Sequence, residues 1–349
     1  MRVYVITFCK WNSFGSMLQS LGLKRALASL GFESVILSIS PQRSYRMRLP
    51  KTTRDAYYFP TRLLHHQAFK AACQKAKAFL ADHIDMIFFK DSEEVRRSYP
   101  RDGVYLAGSD QIWNPTIRNL EFYYMDFVRG IKKLTYAVSM GKEQIPEERK
   151  PLLRKYLSDF AYLSVREEAA KTALSQLTDA EIRVNIDPSF LLSQDEWRSY
   201  ETPYPIHGKY ILVYTIYWDK DAQKRLKTLR RKTGLPVVAI KPAPSVTYAT
   251  RPLYDVGPGE FLWLIDHAAY VVTSSFHGAA FSVIFNKPFA AVINPSSPSR
   301  LTQLLRTFDL PQVEIDDLCD EADFDYSGVN QRIECFKQDA YRYLRSALS

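Results

Sequence analysis

The sequence predicts an α/β protein with two Rossmann-like domains, and three observations lead to this prediction. The chain has 349 residues, of which 46% are hydrophobic and 24% charged, enough for two separate cores. In both halves, short β-rich apolar runs alternate with stretches of helical apolar spacing. The segment TPYPIHG, within a boundary region at 193–208, concentrates turn-forming residues between the halves. We therefore expect domains at 1–195 and 205–349 that face each other across a cleft.

The first series begins with an apolar run at 2–8, the turn WNSFG, a leucine-rich helical pattern that ends before Gly31, and the strand VILSIS. This βαβ order predicts a parallel sheet that gathers ligands at the carboxyl ends of its strands. Residues 41–60 interrupt the series, and we interpret them as a mobile basic loop. A helix is predicted at 66–81. Further strands open the segments GVYLAGSDQIWN, KLTYAVSMG, FAYLSVREE and EIRVNIDPSFLL.

The second series repeats the alternation after the linker. Its predicted strands are KYILVYTIYW, LPVVAIKP, AYVVTSS and PFAAVIN, and its predicted helices are DAQKRLKTLRRKTG, GPGEFLWLIDHA and FHGAAFSVIF. A last helix through 333–344 has helical apolar spacing, and we expect it to pack back on the first domain.

Composition restricts the class of protein. The chain lacks an apolar run of about eighteen residues and opens without a signal-peptide pattern, so we expect a cytoplasmic protein. Its four cysteines are scattered without metal-ligand spacing, so we expect reduced structural thiols and no metal. The net charge of +9 favours an anionic partner. Because no nucleic-acid-binding motif accompanies the charge, the basic helix 221–233 and the basic loop suggest peripheral contact with an anionic membrane.

The sharpest chemical signal is VVTSSFHGAAF, where a β-branched strand ends and a helix begins. Ser274 and Ser275 supply hydroxyls and a helix cap, and Gly278 allows close backbone approach. A helix N-terminus stabilises a phosphate or carboxylate. Histidine is one of the few residue types that can act as an acid or a base unaided, so His277 is a candidate for proton transfer. The structural alternative is that His277 packs or caps while Gly278 permits tight helix–strand contact.

Two further loops carry polar groups at predicted strand ends. In LAGSDQIWN the side chains suit a sugar, because amides and carboxylates bind hydroxyl pairs and an indole covers the apolar ring face; they are Asp110, Gln111, Trp113 and Asn114. The alternative is a loop fixed by a buried Trp113 and an Asx-turn at Asp110. In WNSFGSMLQ, Asn12 and Gln19 are candidates for the same role, although the loop does not match a phosphate-binding fingerprint.

The string LSVRE places Arg166 between a predicted strand and a helix. A guanidinium there suits bidentate binding of a carboxylate or phosphate. The alternative is a surface ion pair with Glu167 or another neighbour.

Taken together, these strings resemble the polysaccharide pyruvyl transferase family. The resemblance is carried by GSDQIWNP, YAVSMG, LSVRE, NIDPSFLL and GPGEFLWLIDHAAYVVTSSFHGAAFSVIFNKPF, in this order, and extends to about Asn294. It implies a fold like that of GT-B glycosyltransferases, with phosphoenolpyruvate as donor and a sugar of a surface polysaccharide as acceptor, either free or lipid-linked. It also implies that the family's histidine, arginine and lysine correspond to His277, Arg166 and Lys287.

Two departures from the family pattern matter. Many relatives have an arginine two residues before the histidine, where this chain has Ser275, and Asn12 is displaced by one position from the family's N-terminal motif. Despite these departures, the resemblance implies a transferase in which His277 transfers a proton. Anion binding is expected from Arg166, Lys287, Ser274, Ser275 and Gly278. No cofactor is expected. The alternatives are a GT-B glycosyltransferase that uses a nucleotide sugar and a non-catalytic carbohydrate-binding protein of the same pathway.

Overall fold

A computed structural model describes residues 1–39, 49–50, 52–241, 246, 251–295, 299–319 and 325–349. The described residues form two compact units. The first comprises Met1–Arg43, Leu80–Leu192 and Arg332–Ser349, and the second comprises Ser44–Phe79 and Ser193–Gln331. The described residues between 49 and 79, which the sequence predicts to lie in the first domain, thus group with the second unit, and Arg332–Ser349 group with the first.

The described residues contain twelve strands and thirteen α-helices. The strands are β1 (Arg2–Ile6), β2 (Glu33–Ser38), β3 (Met86–Phe88), β4 (Gly103–Ala107), β5 (Lys133–Thr135), β6 (Leu163–Val165), β7 (Ile182–Val184), β8 (Ile211–Tyr214), β9 (Val237–Ile240), β10 (Arg251–Leu253), β11 (Tyr270–Thr273) and β12 (Phe289–Ala291). The helices are α1 (Phe14–Ser29), α2 (Thr53–Leu64), α3 (His66–His83), α4 (Ser92–Ser98), α5 (Leu120–Tyr123), α6 (Lys150–Leu157), α7 (Glu168–Leu174), α8 (Gln194–Arg198), α9 (Lys220–Thr233), α10 (Pro258–Asp266), α11 (Phe276–Ile284), α12 (Ser299–Phe308) and α13 (Ser327–Leu348).

The first unit is built on a parallel sheet of order β3-β2-β1-β4-β5. Its central strands are apolar and almost fully buried, as expected where helices cover both faces. α1 lies so close to the chain at Pro188 that a Cβ on Gly22 would approach the Pro188 carbonyl oxygen to 2.4 Å. Tyr343 of α13 donates a hydrogen bond of 2.8 Å to the Thr135 carbonyl, which attaches this helix to the end of β5.

The second unit repeats the arrangement with a parallel sheet of order β10-β9-β8-β11-β12. In each sheet the chain builds outward on one side of the first strand and then crosses to the other side. The order therefore reverses between β1 and β4 in one sheet and between β8 and β11 in the other. Such a switch point opens a crevice at the carboxyl ends of the strands, where α/β proteins bind ligands. The predicted α/β class with two Rossmann-like sheets is confirmed.

One predicted segment differs from the structure. We expected a loop at 41–60, of which residues 41–48 and 51 lie outside the described residues. The later part of this segment is instead the helix α2, which contains Pro60. Pro60 is exposed, and the backbone carbonyl that loses its partner at a proline is readily hydrated on an open helix face. The helix therefore tolerates a residue that sequence rules treat as a breaker.

Candidate functional site

The loop between β11 and α11 is fixed to the neighbouring strand β8 by hydroxyl groups. Thr273 Oγ1 donates to the Tyr214 carbonyl at 2.6 Å and accepts from the Ser275 amide at 3.1 Å. Ser274 Oγ accepts from the amides of Ile216 and Tyr217, at 2.8 and 2.9 Å. These bonds join the two loops on either side of the switch point of the second sheet. Ser274 therefore holds the site together, and its hydroxyl proton is the group that it can offer to a ligand.

Ser275 and Gly278 shape the first turn of α11. Ser275 is the N-cap and accepts from the Gly278 amide at 3.4 Å, as predicted for a cap. A Cβ on Gly278 would lie 2.3 Å from Thr273 Oγ1, closer than any side chain tolerates. Glycine is thus required for helix–strand packing, which was the structural alternative for this position.

His277 is the second residue of α11, at the carboxyl edge of the sheet. Its exposed fraction is 8%, and its ring lies edge-to-face against Phe276 with centroids 5.1 Å apart. The ring that we expected to face a site is therefore nearly enclosed.

Lys287 does not join this group. It precedes β12, whereas His277 follows β11, and the two strands run parallel. The sheet therefore places Lys287 at the amino edge and His277 at the carboxyl edge. Lys287 Nζ lies 3.6 Å from Asp266 Oδ1, and Asp266 also pairs with Arg198 at 2.9 Å. The expected role of Lys287 in the same anion site is corrected to an ion pair at the opposite edge.

Glu201 completes this cluster at the amino edge. Ligand atoms of Glu201, Asp266 and His267 lie within 4.8 Å of one another, but Arg198 and Lys287 already neutralise Asp266. Although burial opposes ionisation, the hydrogen bond from Arg198 and the charge of Lys287 hold the pKa of Asp266 below its usual range. Burial, and then the charge of Asp266, raise the pKa of Glu201 to about 7.

The raised pKa of Glu201 predicts a pH-dependent stability. Between about pH 4.5 and pH 7 the folded protein keeps this proton while the unfolded chain loses it, so the folded state is penalised as pH rises through this window. We expect Glu201→Gln to raise the free energy of unfolding by about 1–2 kcal/mol at pH 8 and by little at pH 4.5. Urea unfolding at both pH values measures this. Asp195→Asn is the control, because Asp195 also pairs with Arg198 but is exposed; an equal gain at both pH values from Glu201→Gln would contradict the assignment.

In the first unit, Arg166 lies in a buried network. Its Nη1 is 2.6 Å from Asp187 Oδ2 and its Nε is 3.1 Å from Glu167 Oε1, with all three side chains buried. Burial opposes the charged guanidinium, yet the carboxylates of Glu167 and Asp187 outweigh it and raise the pKa of Arg166. The alternative of a surface ion pair named the right partner, Glu167, but this ion pair is buried.

Serines connect this network to the neighbouring loops. Ser109 donates to Asp187 at 3.1 Å, and Ser139 donates to Glu167 at 2.5 Å. Asp187 in turn accepts from the amide and hydroxyl of Ser189. The strings GSDQIWN, YAVSMG, LSVRE and NIDPSF are thus linked by one set of charged hydrogen bonds. Because two carboxyl groups already hold the guanidinium, this geometry favours a positioning role for Arg166 over the expected anion clamp.

Trp113 is the clearest correction in the GSDQIWN loop. Its side chain is fully buried and stacks on Tyr124, with centroids 4.4 Å apart and planes at 9°. Its Nε1 donates to the Tyr123 carbonyl at 3.3 Å. The expectation that this indole covers a sugar ring was wrong, because both ring faces belong to the core; the alternative of a loop fixed by a buried indole is correct.

The other residues that we expected to bind the acceptor sugar differ in how exposed they are. Gln19 is fully buried and its amide donates to Thr7 and Phe8, so it supports the β1 loop and does not reach a ligand. Asn12 is exposed in the turn before α1. Asp110 (φ 72°) follows β4 in a left-handed conformation, and its Oδ1 accepts from the next amide. The Asx-turn forms at Asn114, which accepts from the amide and hydroxyl of Thr116.

Gln111 lies over Gly141 (φ +60°), where a Cβ would meet the Gln111 side chain at 2.5 Å. Asp110, Gln111 and Asn114 are each partly exposed. The loop after β4 therefore presents these three side chains, together with Asn12 of the β1 loop, at the switch point of the first sheet.

Three residues near the second switch point were not predicted from the sequence. Tyr217 and Trp218 follow β8 and are partly exposed beside the Ser274 bonds; the aromatic string YTIYW at a strand end was the available signal. Lys241 follows β9 on the same edge, with a left-handed φ of 44°. Burial lowers the pKa of Lys241 to about 8, so this ammonium is desolvated in the folded protein.

Comparison with known proteins agrees with this architecture. The family model for polysaccharide pyruvyl transferase matches residues 14–297, and the chain belongs to this family, which makes it a transferase. No curated protein matches the chain in sequence. In the described part of the chain, every helix is too short or too polar to cross a membrane.

Solved structures share the fold at low identity. UDP-GlcNAc 2-epimerase from Neisseria meningitidis, bound to UDP-GlcNAc, is 9% identical with a TM-score of 0.51, over 100% of this chain and 99% of that one. HepE from Anabaena, in complex with UDP and glucose, is 11% identical with a TM-score of 0.51, over 99% and 100%. The protein thus has a GT-B-like fold.

Proposed function

We propose that this transferase moves a pyruvyl group from phosphoenolpyruvate to two hydroxyls of a polysaccharide sugar and forms a ketal. The observation that carries the proposal is His277, held in the first turn of α11 at the switch point of the second sheet, in a member of this family. The N-terminus of α11 and the hydroxyl proton of Ser274 favour an anionic donor there.

The chemistry needs one proton donor and stabilisation of anionic groups. A proton from His277 adds to the methylene carbon of phosphoenolpyruvate, and C2 becomes electrophilic. An acceptor hydroxyl adds to C2 and loses its proton. The bond from C2 to the phosphate oxygen then breaks, and phosphate departs with the electron pair. The second hydroxyl adds to C2, which closes the ketal; of the two hydroxyl protons, one leaves with phosphate and the other restores His277.

The other residues have positioning or binding roles in this scheme. Asp110, Gln111 and Asn114 hydrogen-bond the acceptor hydroxyls. Arg166 holds the loop that carries them, through Asp187 and the Ser109 bond. The scheme requires no metal or organic cofactor.

Lys241 compensates for the serine at position 275. Many relatives have an arginine there, which is a natural partner of an anionic donor, whereas Ser275 is a helix cap in this chain. Lys241 begins at the carboxyl end of β9, two strand spacings, or about 10 Å, from β11. An anion that approaches a desolvated ammonium favours its charged form, so donor binding and protonation of Lys241 are coupled.

The decisive assay supplies phosphoenolpyruvate and lipid-linked oligosaccharides from the host. We expect acceptor-dependent phosphate release and a product that carries a carboxyethylidene ketal, detected by its mass and by the NMR signal of its methyl group. Two parallel samples contain uridine or guanosine diphosphate sugars. Turnover of a nucleotide sugar instead would identify a glycosyltransferase, and oligosaccharide binding without turnover of any donor would identify a carbohydrate-binding protein.

A further inference from the structure

We propose that the exposed apolar face of α2 docks on an anionic lipid bilayer. Nine large hydrophobic side chains are exposed among the described residues, and four of them fall within residues 49–64. Their exposed fractions are 80% for Leu49, 49% for Tyr57, 60% for Leu63 and 79% for Leu64. A short stretch of chain therefore holds almost half of this exposed apolar set.

Leu49 precedes the helix, and the spacing places the other three side chains on one face of α2. At 100° per residue, the positions from Leu63 through Pro60 and Leu64 to Tyr57 occupy an arc of about 120°, and every residue on this arc is exposed. Tyr58, Phe59 and Thr61 lie outside the arc and are partly buried. The helix thus leaves this apolar face in solvent.

The sequence around α2 is rich in positive charge. Lys70 is exposed on the following helix α3, and Arg62 is exposed on α2, on the side away from the apolar face. Between residues 41 and 55 the sequence has five basic residues and one acid, which are Arg43, Arg46, Arg48, Lys51, Arg54 and Asp55. Each basic residue near an anionic leaflet strengthens binding several-fold. Apolar side chains beside concentrated positive charge are the features of a helix that lies in a bilayer interface.

The size of the face also favours lipid over a protein partner. A stable protein interface buries about 800 Å² on each side, which is more than one arc of a three-turn helix presents. Insertion of a few leucine and tyrosine side chains among lipid headgroups needs no larger surface. The inference does not depend on the reaction, although docking would bring the enzyme to a lipid-linked acceptor.

Vesicle co-sedimentation tests the proposal with the full chain. Wild-type protein should bind phosphatidylcholine vesicles that contain about 30% phosphatidylglycerol, bind pure phosphatidylcholine weakly, and dissociate as salt rises. Leu63→Asn with Leu64→Asn should lower the partition coefficient at least about ten-fold, because both exposed side chains lose their apolar contact with the bilayer. Leu64→Asn alone should give a smaller loss, and it serves if the double variant is unstable.

The matched control neutralises exposed cations elsewhere. Arg154→Gln, Lys155→Gln and Lys171→Gln together remove three exposed charges from α6 and α7, and this variant should keep most of the binding. Unchanged thermal unfolding of each variant shows that the fold is intact. The proposal is overturned if wild-type protein ignores anionic vesicles, if the leucine variants bind equally well, or if light scattering shows that the same variants dissociate a dimer, because the face would then bind a second copy.

Discussion

Arg166→Met is expected to lower the free energy of unfolding by about 3–5 kcal/mol, because it leaves two buried carboxyl groups without their partner. Asp187 Oδ2 lies 2.6 Å from the guanidinium and Glu167 Oε1 lies 3.1 Å away. Methionine fills much of the same volume, so the loss reports charge and hydrogen bonding more than a cavity. Urea unfolding at neutral pH gives the value directly.

An arginine in an exposed ion pair serves as the matched control for the buried one. Arg183 pairs with Glu181 on the surface of the same unit, and both side chains are well exposed, so Arg183→Met should change stability by less than about 0.5 kcal/mol. The anion-clamp hypothesis predicts the opposite result for Arg166→Met. In that case stability would change little while the affinity for phosphoenolpyruvate fell by more than about ten-fold, and such a result would overturn the positioning role.

The fold was readable from sequence because parallel strands buried on both faces are nearly continuous apolar runs. VYVI, VVAI and YVVT have this character, and each ends where a polar or small residue begins. The same rule located the loops at both switch points, since polar residues that follow such strands must lie at the carboxyl edge. α2 escaped prediction because Pro60 is a helix breaker on average and tolerated on an exposed face.

Side-chain roles were less predictable, because one residue type serves two purposes. Trp113 suits a sugar platform and a core equally, and only its stack on Tyr124 decides between them. Gln19 is hydrogen-bonded to the β1 loop in a way that no local pattern reveals.

Lys287 is different, because its position was readable. It stands before a strand, whereas the SSFH string stands after the neighbouring parallel strand, so the two could not share an edge. Topology, applied to each candidate in turn, would have separated them.

His277→Asn is expected to reduce acceptor-dependent phosphate release from phosphoenolpyruvate by about 10²–10⁴-fold. Asparagine keeps a polar side chain of similar reach in the first turn of α11 but cannot exchange a proton near neutral pH. Because the ring is only 8% exposed, the variant must also be tested for stability, and we expect a change of less than about 1.5 kcal/mol. Initial rates at saturating donor and acceptor, together with urea unfolding, separate catalysis from packing.

The control is His267→Asn, at the end of α10 and exposed, in the same unit. It should retain the wild-type rate, because it lies at the amino edge of the sheet, away from the switch point. His277→Gln provides a second replacement if asparagine destabilises the helix start. Near-wild-type phosphate release by a folded His277 variant would remove the imidazole from the proton-transfer step, and a large loss of stability without a specific loss of rate would restore the purely structural role of this residue. The rate of phosphate release and the free energy of unfolding thus distinguish an imidazole that takes part in the reaction from one that only packs.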